Sequence, residues 1–152
     1  EEMCHQLGQE LGLDAVDLCA RLERKCRTMY IERELLQRVG QARDHFTTVL
    51  ITTNMDTMTR FTWPSLGLDE VFDRLENSAD SGRYKTDDNG QLFVDVCVGL
   101  DADIAQSILV DDSESACSVF RDRGGTAYQV TKEHSTESIL REIHEQSCHM
   151  GN

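Results

Sequence analysis

From Phe46 onward, short apolar β-branched runs alternate with segments of helical period, and nothing else constrains the fold of this chain as strongly. Phe46–Thr52 (FTTVLIT) reads as a buried strand by composition and length. Residues 55–66 read as a short helix broken near Pro64, the only proline. Gly67-Leu68-Asp69 turns the chain, and Arg74–Ser78 reads as a short strand. Residues 89–100 have strand propensity, yet Leu92, Phe93, Val96, Cys97 and Leu100 share one helical face. The spacing predicts a helix there, capped by Asp88 or Asn89. Ile108-Leu109-Val110 is a buried strand ending in Asp111-Asp112. A helix over 113–123 turns Ala116, Cys117, Val119 and Phe120 inward and stops at Gly124-Gly125. Thr126–Val130 is a further strand, and Ser135 or Thr136 caps a last helix through Ile139, Leu140 and Ile143.

Before this alternation the chain reads as helices. Asp14 caps one that runs to about Tyr30, with Val16, Cys19, Leu22, Cys26 and Met29 at steps of three and four. A second, about 31–44, carries Ile31, Leu35, Leu36, Val39 and Ala42. The expected organisation is a helical segment over 1–44 and an α/β core over 45–152. The core should be a Rossmann-like parallel sheet with helices on both faces. In such sheets the chemistry gathers at the carboxyl ends of the strands. Thr52-Thr53-Asn54 and Asp111-Asp112-Ser113 fall there.

Charge narrows the partners. The net charge is −13 and the pI near 4.6. Such a chain repels phosphate backbones and anionic lipid, so neither nucleic acid nor membrane is an expected partner. No apolar stretch approaches the roughly 20 residues of a membrane span, and Glu1-Glu2-Met3-Cys4-His5 does not resemble a secretory signal. The chain begins without an initiator Met, which points to processing, truncation or a segment upstream. Six cysteines without a C-x-x-C pair are too sparse for a disulfide scaffold and read as reduced thiols of a cytoplasmic protein. The charge is uneven: residues 69–114 hold 13 acids against Arg74, Arg83 and Lys85, whereas residues 21–43 hold seven bases and three acids. Such asymmetry reads either as differently solvated faces or as a focused cation site in the acidic half.

Three signals occur in order: a buried strand ending Thr-Thr-Asn, the loop Gly82-Arg83-Tyr84-Lys85-Thr86-Asp87, and a buried strand ending Asp-Asp-Ser. Gly-Leu-Asp-x-x-Phe (Gly67, Leu68, Asp69, Phe72) lies between the first two, and Arg-x-Gly-Gly-Thr-Ala-Tyr follows the third. Together they resemble the haloacid dehalogenase-like (HAD) hydrolase superfamily over roughly 46–130, with residues 1–44 resembling its cap module. The resemblance implies a phosphatase that acts on a small phosphorylated metabolite through a magnesium-assisted aspartyl-phosphate mechanism. It assigns Thr53 and Asn54 to phosphate oxygens, Lys85 to the charge developing on the phosphoryl group, and Asp112 with Asp111 to Mg2+. These residue types suit a reaction that is mostly positioning and charge stabilisation. Each also has a plainer reading. Thr53 can cap a helix, Lys85 can be a solvated loop lysine, and Asp111 and Asp112 can cap the helix that follows.

The family's nucleophile is an aspartate in a D-x-D-x-[TV] motif on a first strand, ahead of the cap. Residues 1–152 hold no such motif. Asp101-Ala102-Asp103-Ile104-Ala105 resembles it superficially and reads instead as a helix-start cap. In the family fold that strand lies between the strands ending at Thr53 and Asp111. Without it, two interior strands lose a hydrogen-bonding neighbour at about 1–3 kcal/mol per unpaired buried group. An upstream segment, a second copy in a strand-exchanged homodimer, or direct closure of the two strands would each repair the gap. The chain as written is therefore expected to lack phosphatase turnover. A non-catalytic HAD-like protein that binds phosphate or a partner, or self-assembles by strand exchange, is the alternative. A zinc site from Cys4, His5, His144, Cys148 and His149 matches no standard finger spacing.

Overall fold

The structure, a computed structural model, describes residues 2–150, and the side chains of residues 2–147. Three helices come first: α1 (Glu2–Leu11), α2 (Ala15–Arg27) and α3 (Arg33–Ala42). Asp14 caps α2 as expected, its carboxylate accepting from the Asp17 N–H at 2.8 Å. Helix α1 packs on α2, α2 packs on the segment after the first strand, and α3 packs on the last helix.

Strand β1 (Val49–Thr52) pairs in parallel with β2 (Arg74–Asn77), Thr52 opposite Asn77. Between them, a π turn over Met58–Thr62 runs directly into α4 (Trp63–Leu66). The segment is thus not broken at Pro64. The ring sits in the first turn of α4, where its missing N–H is harmless. The irregularity lies just ahead of it, with the Trp63 N–H bonding back to the Met58 carbonyl. After β2 come the single turn α5 (Ser78–Ser81) and helix α6 (Gln91–Gly99).

The helical reading of 89–100 holds, but its cap is neither Asp88 nor Asn89. Both take left-handed backbone, with φ of 48° and 55°, and the N-cap is Gly90 at φ 76°. A Cβ on Gly90 would stand 3.2 Å from Val119 Cγ2, so the close approach of the helix that carries Val119 selects glycine.

Strand β3 (Ile108–Asp111), helix α7 (Glu114–Asp122), strand β4 (Thr126–Gln129) and helix α8 (Thr136–Met150) complete the chain. β3 and β4 pair in parallel, Asp111 opposite Gln129. Asp103 caps the 3-10 turn Ile104–Gln106 by accepting from the Ala105 N–H at 2.9 Å. No helix of the described residues is long and apolar enough to cross a membrane.

The strands are parallel and alternate with helices, as a Rossmann-like α/β fold requires. They form two separate two-stranded ladders, β1–β2 and β3–β4. Among the described residues no backbone ladder joins the two, so β1 and β3 have not closed on one another. All four residues of β1 are only half-buried. The ladders are instead connected through side chains. Phe93 of α6 and Ala116 and Phe120 of α7 form a buried cluster, and Ile51 of β1 and Leu109 of β3 both pack against it. The Phe93 and Phe120 rings meet edge to face at 5.0 Å.

Asp73 fastens the start of the first ladder. Its carboxylate accepts from the Thr48 N–H at 2.8 Å, the Thr48 hydroxyl at 3.1 Å and the Arg43 guanidinium at 2.5 Å. The Thr48 N–H bond, more than the Arg43 charge, holds its pKa below the ordinary 3.8 against the opposing effect of burial. A lowered carboxylate pKa stabilises the fold above the unfolded value, and the benefit is lost as pH falls through the folded value. Asp73→Asn should therefore cost about 1 kcal/mol at pH 7 and flatten the loss of stability below pH 4, measured by urea unfolding across pH.

Gly125 gives a second test. A Cβ there would lie 2.2 Å from Phe120 Cε1. Gly125→Ala should push the core ring aside and cost about 1–3 kcal/mol in urea unfolding.

Candidate functional site

The carboxyl end of the first ladder is built around Asn77, which is buried. Its Nδ2 donates to the Met55 carbonyl and to Thr59 Oγ1, each at 3.0 Å. Its Oδ1 accepts from the Ala79 N–H at 3.5 Å, capping α5. Thr59 passes the network on, its hydroxyl donating to Asp80 Oδ2 at 2.6 Å. Ser78 Oγ accepts from the Asn54 N–H at 3.1 Å. These bonds fix the chain that leaves β1 against the chain that leaves β2. Thr53 sits on that fixed turn with its side chain exposed. Its hydroxyl makes no hydrogen bond among the described residues, so it does not cap a helix.

Gly82, at φ 68°, ends α5 and redirects the chain into the Lys85 loop. Arg83 anchors the loop to α6 through Asp95 at 2.8 Å. The Asp95 carboxyl is held below its ordinary range first by the Gln91 amide and then by Arg83. Lys85 then reaches across to the second ladder, where Nζ donates to Asp111 Oδ2 at 2.6 Å. The two side chains retain only 18% and 7% of their exposure. Asp111 is the last residue of β3 and Lys85 follows the end of β2, so one ion pair brings the carboxyl ends of the two ladders together.

Asp111 Oδ1 accepts from the Ser113 N–H at 2.8 Å, which engages the second carboxylate oxygen. Ser113, not Asp111 or Asp112, caps α7, its hydroxyl accepting from the Ala116 N–H at 3.2 Å. Asp112 is exposed, and only its backbone carbonyl is bonded, to Gln129 Nε2 at 3.3 Å. Beneath the turn lies the buried Cys117 thiol, whose pKa is raised by burial and then by the charge of Asp111. It is a structural thiol that packs under the Asp111 turn.

Of the residues singled out in the sequence, the structure joins Lys85 to Asp111 and places Asp112 beside them. Thr53 and Asn54 occupy the end of β1. No hydrogen bond links them to Lys85, Asp111 or Asp112 among the described residues. Asn77 and Ser78 are not among the sequence candidates, because their role comes from lying opposite the end of β1 across the ladder. A Mg2+ ion takes one or two carboxylates and fills its remaining positions with water and phosphate oxygens; here Asp112 is the exposed carboxylate, and both oxygens of Asp111 are already bonded. Among the described residues no three acidic, histidine or cysteine side chains gather to hold a metal unaided. For the zinc reading, His5 meets Gln9 at 3.2 Å and His144 faces the His45 ring at 6.1 Å. The side chains of Cys148 and His149 lie outside the described residues.

No family model matches the chain, and no curated protein does. Solved structures do match. One is a HAD family enzyme from Bacteroides thetaiotaomicron in complex with magnesium and inorganic phosphate, at 17% identity and TM-score 0.62, covering 72% of this chain and 57% of that one. An aspartate-to-alanine variant of that enzyme, also with magnesium and inorganic phosphate, matches at 15% identity and TM-score 0.73, covering 91% and 73%. Its magnesium complex matches at 15% identity and TM-score 0.73, covering 92% and 73%. The chain thus spans little more than half of the first of these and about three quarters of the others. The fold of this chain is HAD-like.

Proposed function

We propose that this chain carries most of a magnesium-assisted phosphate-monoester hydrolase site for a small phosphorylated metabolite. The observation that carries the reading is the 2.6 Å Lys85–Asp111 pair, set at the strand ends of a HAD-like fold. The solved relative is described with magnesium and inorganic phosphate, which supports the same chemistry here. In this reading the Thr53 hydroxyl and the backbone beside Asn54 hold phosphate oxygens. Lys85 supplies positive charge to them, and Asp111 holds that ammonium in place. Asp112, exposed and with no side-chain partner among the described residues, would bind Mg2+ with help from Asp111. The ion would supply Lewis-acid charge to the phosphoryl group. Helices α1 and α2 act as a cap over the strand ends. Residues 1–152 hold no D-x-D-x-[TV] nucleophile, so in this reading they bind phosphate without hydrolysing it.

Calorimetric titration of inorganic phosphate in the presence of MgCl2 tests the site. Asp112→Asn should weaken metal-dependent binding about tenfold or more. Its unfolding free energy should stay within about 0.5 kcal/mol, because the side chain is exposed. Lys85→Met should remove phosphate binding with or without magnesium. Unchanged affinity in both variants would refute the assignment. The 152-residue chain should give no turnover of a generic aryl phosphate, and turnover that vanishes in Asp112→Ala would show that it needs no further strand.

A second reading rests on the split sheet. Parallel ladders that end in unpaired edges, with half-buried apolar residues along β1, suit a protein that accepts an extended segment from a second copy. Light scattering after size exclusion separates the two. A concentration-dependent dimer that binds no phosphate favours strand exchange, and a phosphate-binding monomer favours the hydrolase site.

A further inference from the structure

Beside the strand ends lies a cavity of about 350 Å3 that phosphate binding leaves unused. Helices α1 and α2 contribute Met3, Cys4, Cys19 and Leu22 to its wall, and the segment after β1 contributes Met55 and Phe61. The wall is therefore mostly apolar and rich in sulfur. Its charged members already have partners. Asp56 pairs with Arg60 at 2.9 Å, and Glu23 pairs with Arg27 at 2.9 Å. The guanidiniums of Arg60 and Arg27 stand 5.0 and 5.2 Å from the centre of the Phe61 ring, which orients that wall.

The cavity adjoins the phosphate site through the chain itself. Met55 follows Asn54, and Ala79, also in the wall, follows Ser78, whose hydroxyl bonds Asn54. A phosphate monoester held at Thr53 and Asn54 would direct its alcohol half toward this space.

We propose that the cavity binds the alcohol half of the substrate, and that this half is a compact aromatic or apolar group, not a polyol. The inference rests on the phosphate reading for the other half of the molecule. The volume is at the lower end for ligand pockets and suits one or two rings. Thioether and thiol groups make favourable contacts with aromatic faces. A polyol held here would meet a wall whose charged groups are already paired and which offers only the Thr57 hydroxyl besides, so most of its hydroxyls would go unmatched.

The test uses the full chain with MgCl2 and measures binding by calorimetry and ligand-observed NMR. Phenyl phosphate should bind about tenfold or more tightly than glycerol 2-phosphate and inorganic phosphate. Ala79 is exposed, so Ala79→Phe should fill the cavity from its rim without burdening the core. It should abolish the phenyl preference and leave the affinity for inorganic phosphate unchanged. Equal binding of phenyl and glycerol phosphates, or a preference that survives Ala79→Phe, would overturn the proposal. If inorganic phosphate itself fails to bind, the phosphate reading falls separately. Phenol then decides the cavity: binding that Ala79→Phe blocks supports an apolar site, and absence of binding ends it.

Discussion

The Lys85–Asp111 ion pair is the one polar bond between the carboxyl ends of the two ladders among the hydrogen bonds of the described residues. Its importance comes from where it lies. Each charge is largely removed from water, so each depends on the other and on the Ser113 N–H for compensation. Removing either partner would strand the other in a poor solvent. The pair also orients a cation beside an exposed carboxylate, Asp112, at a place where α/β folds collect their ligands. The local architecture serves this contact. Gly82 turns the loop, Arg83 anchors it on α6, and the cap at Ser113 fixes the turn on which Asp111 sits.

Apolar packing does the rest of the joining. Where a continuous sheet would bond strand to strand, this chain connects its ladders through α6 and α7. Ile51 and Leu109 approach the Phe93–Phe120 pair from different ladders. Van der Waals contact of this sort is strong in sum but does not fix register as a backbone ladder does. The polar network at Asn77 supplies the missing specificity on the first ladder by locking the exit of β1 onto the exit of β2.

Much of this was legible in the residues. Strand–helix alternation specified parallel strands, and Leu92, Phe93 and Val96 marked α6 as a helix despite its strand-like composition, because all three are buried on one face. The Asp14 cap of α2 was equally local. What was not legible depended on distant neighbours. The Gly90 cap is dictated by Val119, some 29 positions away, and no local pattern reveals that clearance. Pro64 suggested a break, yet its position within the first turn of α4 made it harmless. The role of Asn77 depends on what stands opposite it across a ladder. The absence of pairing between β1 and β3 is a property of the assembled sheet, which strand propensities do not encode.

The packing of α3 on α8 has a consequence for biogenesis. Arg38 reaches Glu137 at 3.0 Å across 99 positions of sequence, and the His45 and His144 rings meet in the same region. During synthesis α3 emerges well before α8, so its partner face stays open over the 99 positions that separate Arg38 from Glu137. The third helix thus waits on the ribosome for a distant partner, and their closure is among the slowest kinds of contact, one between remote parts of the chain.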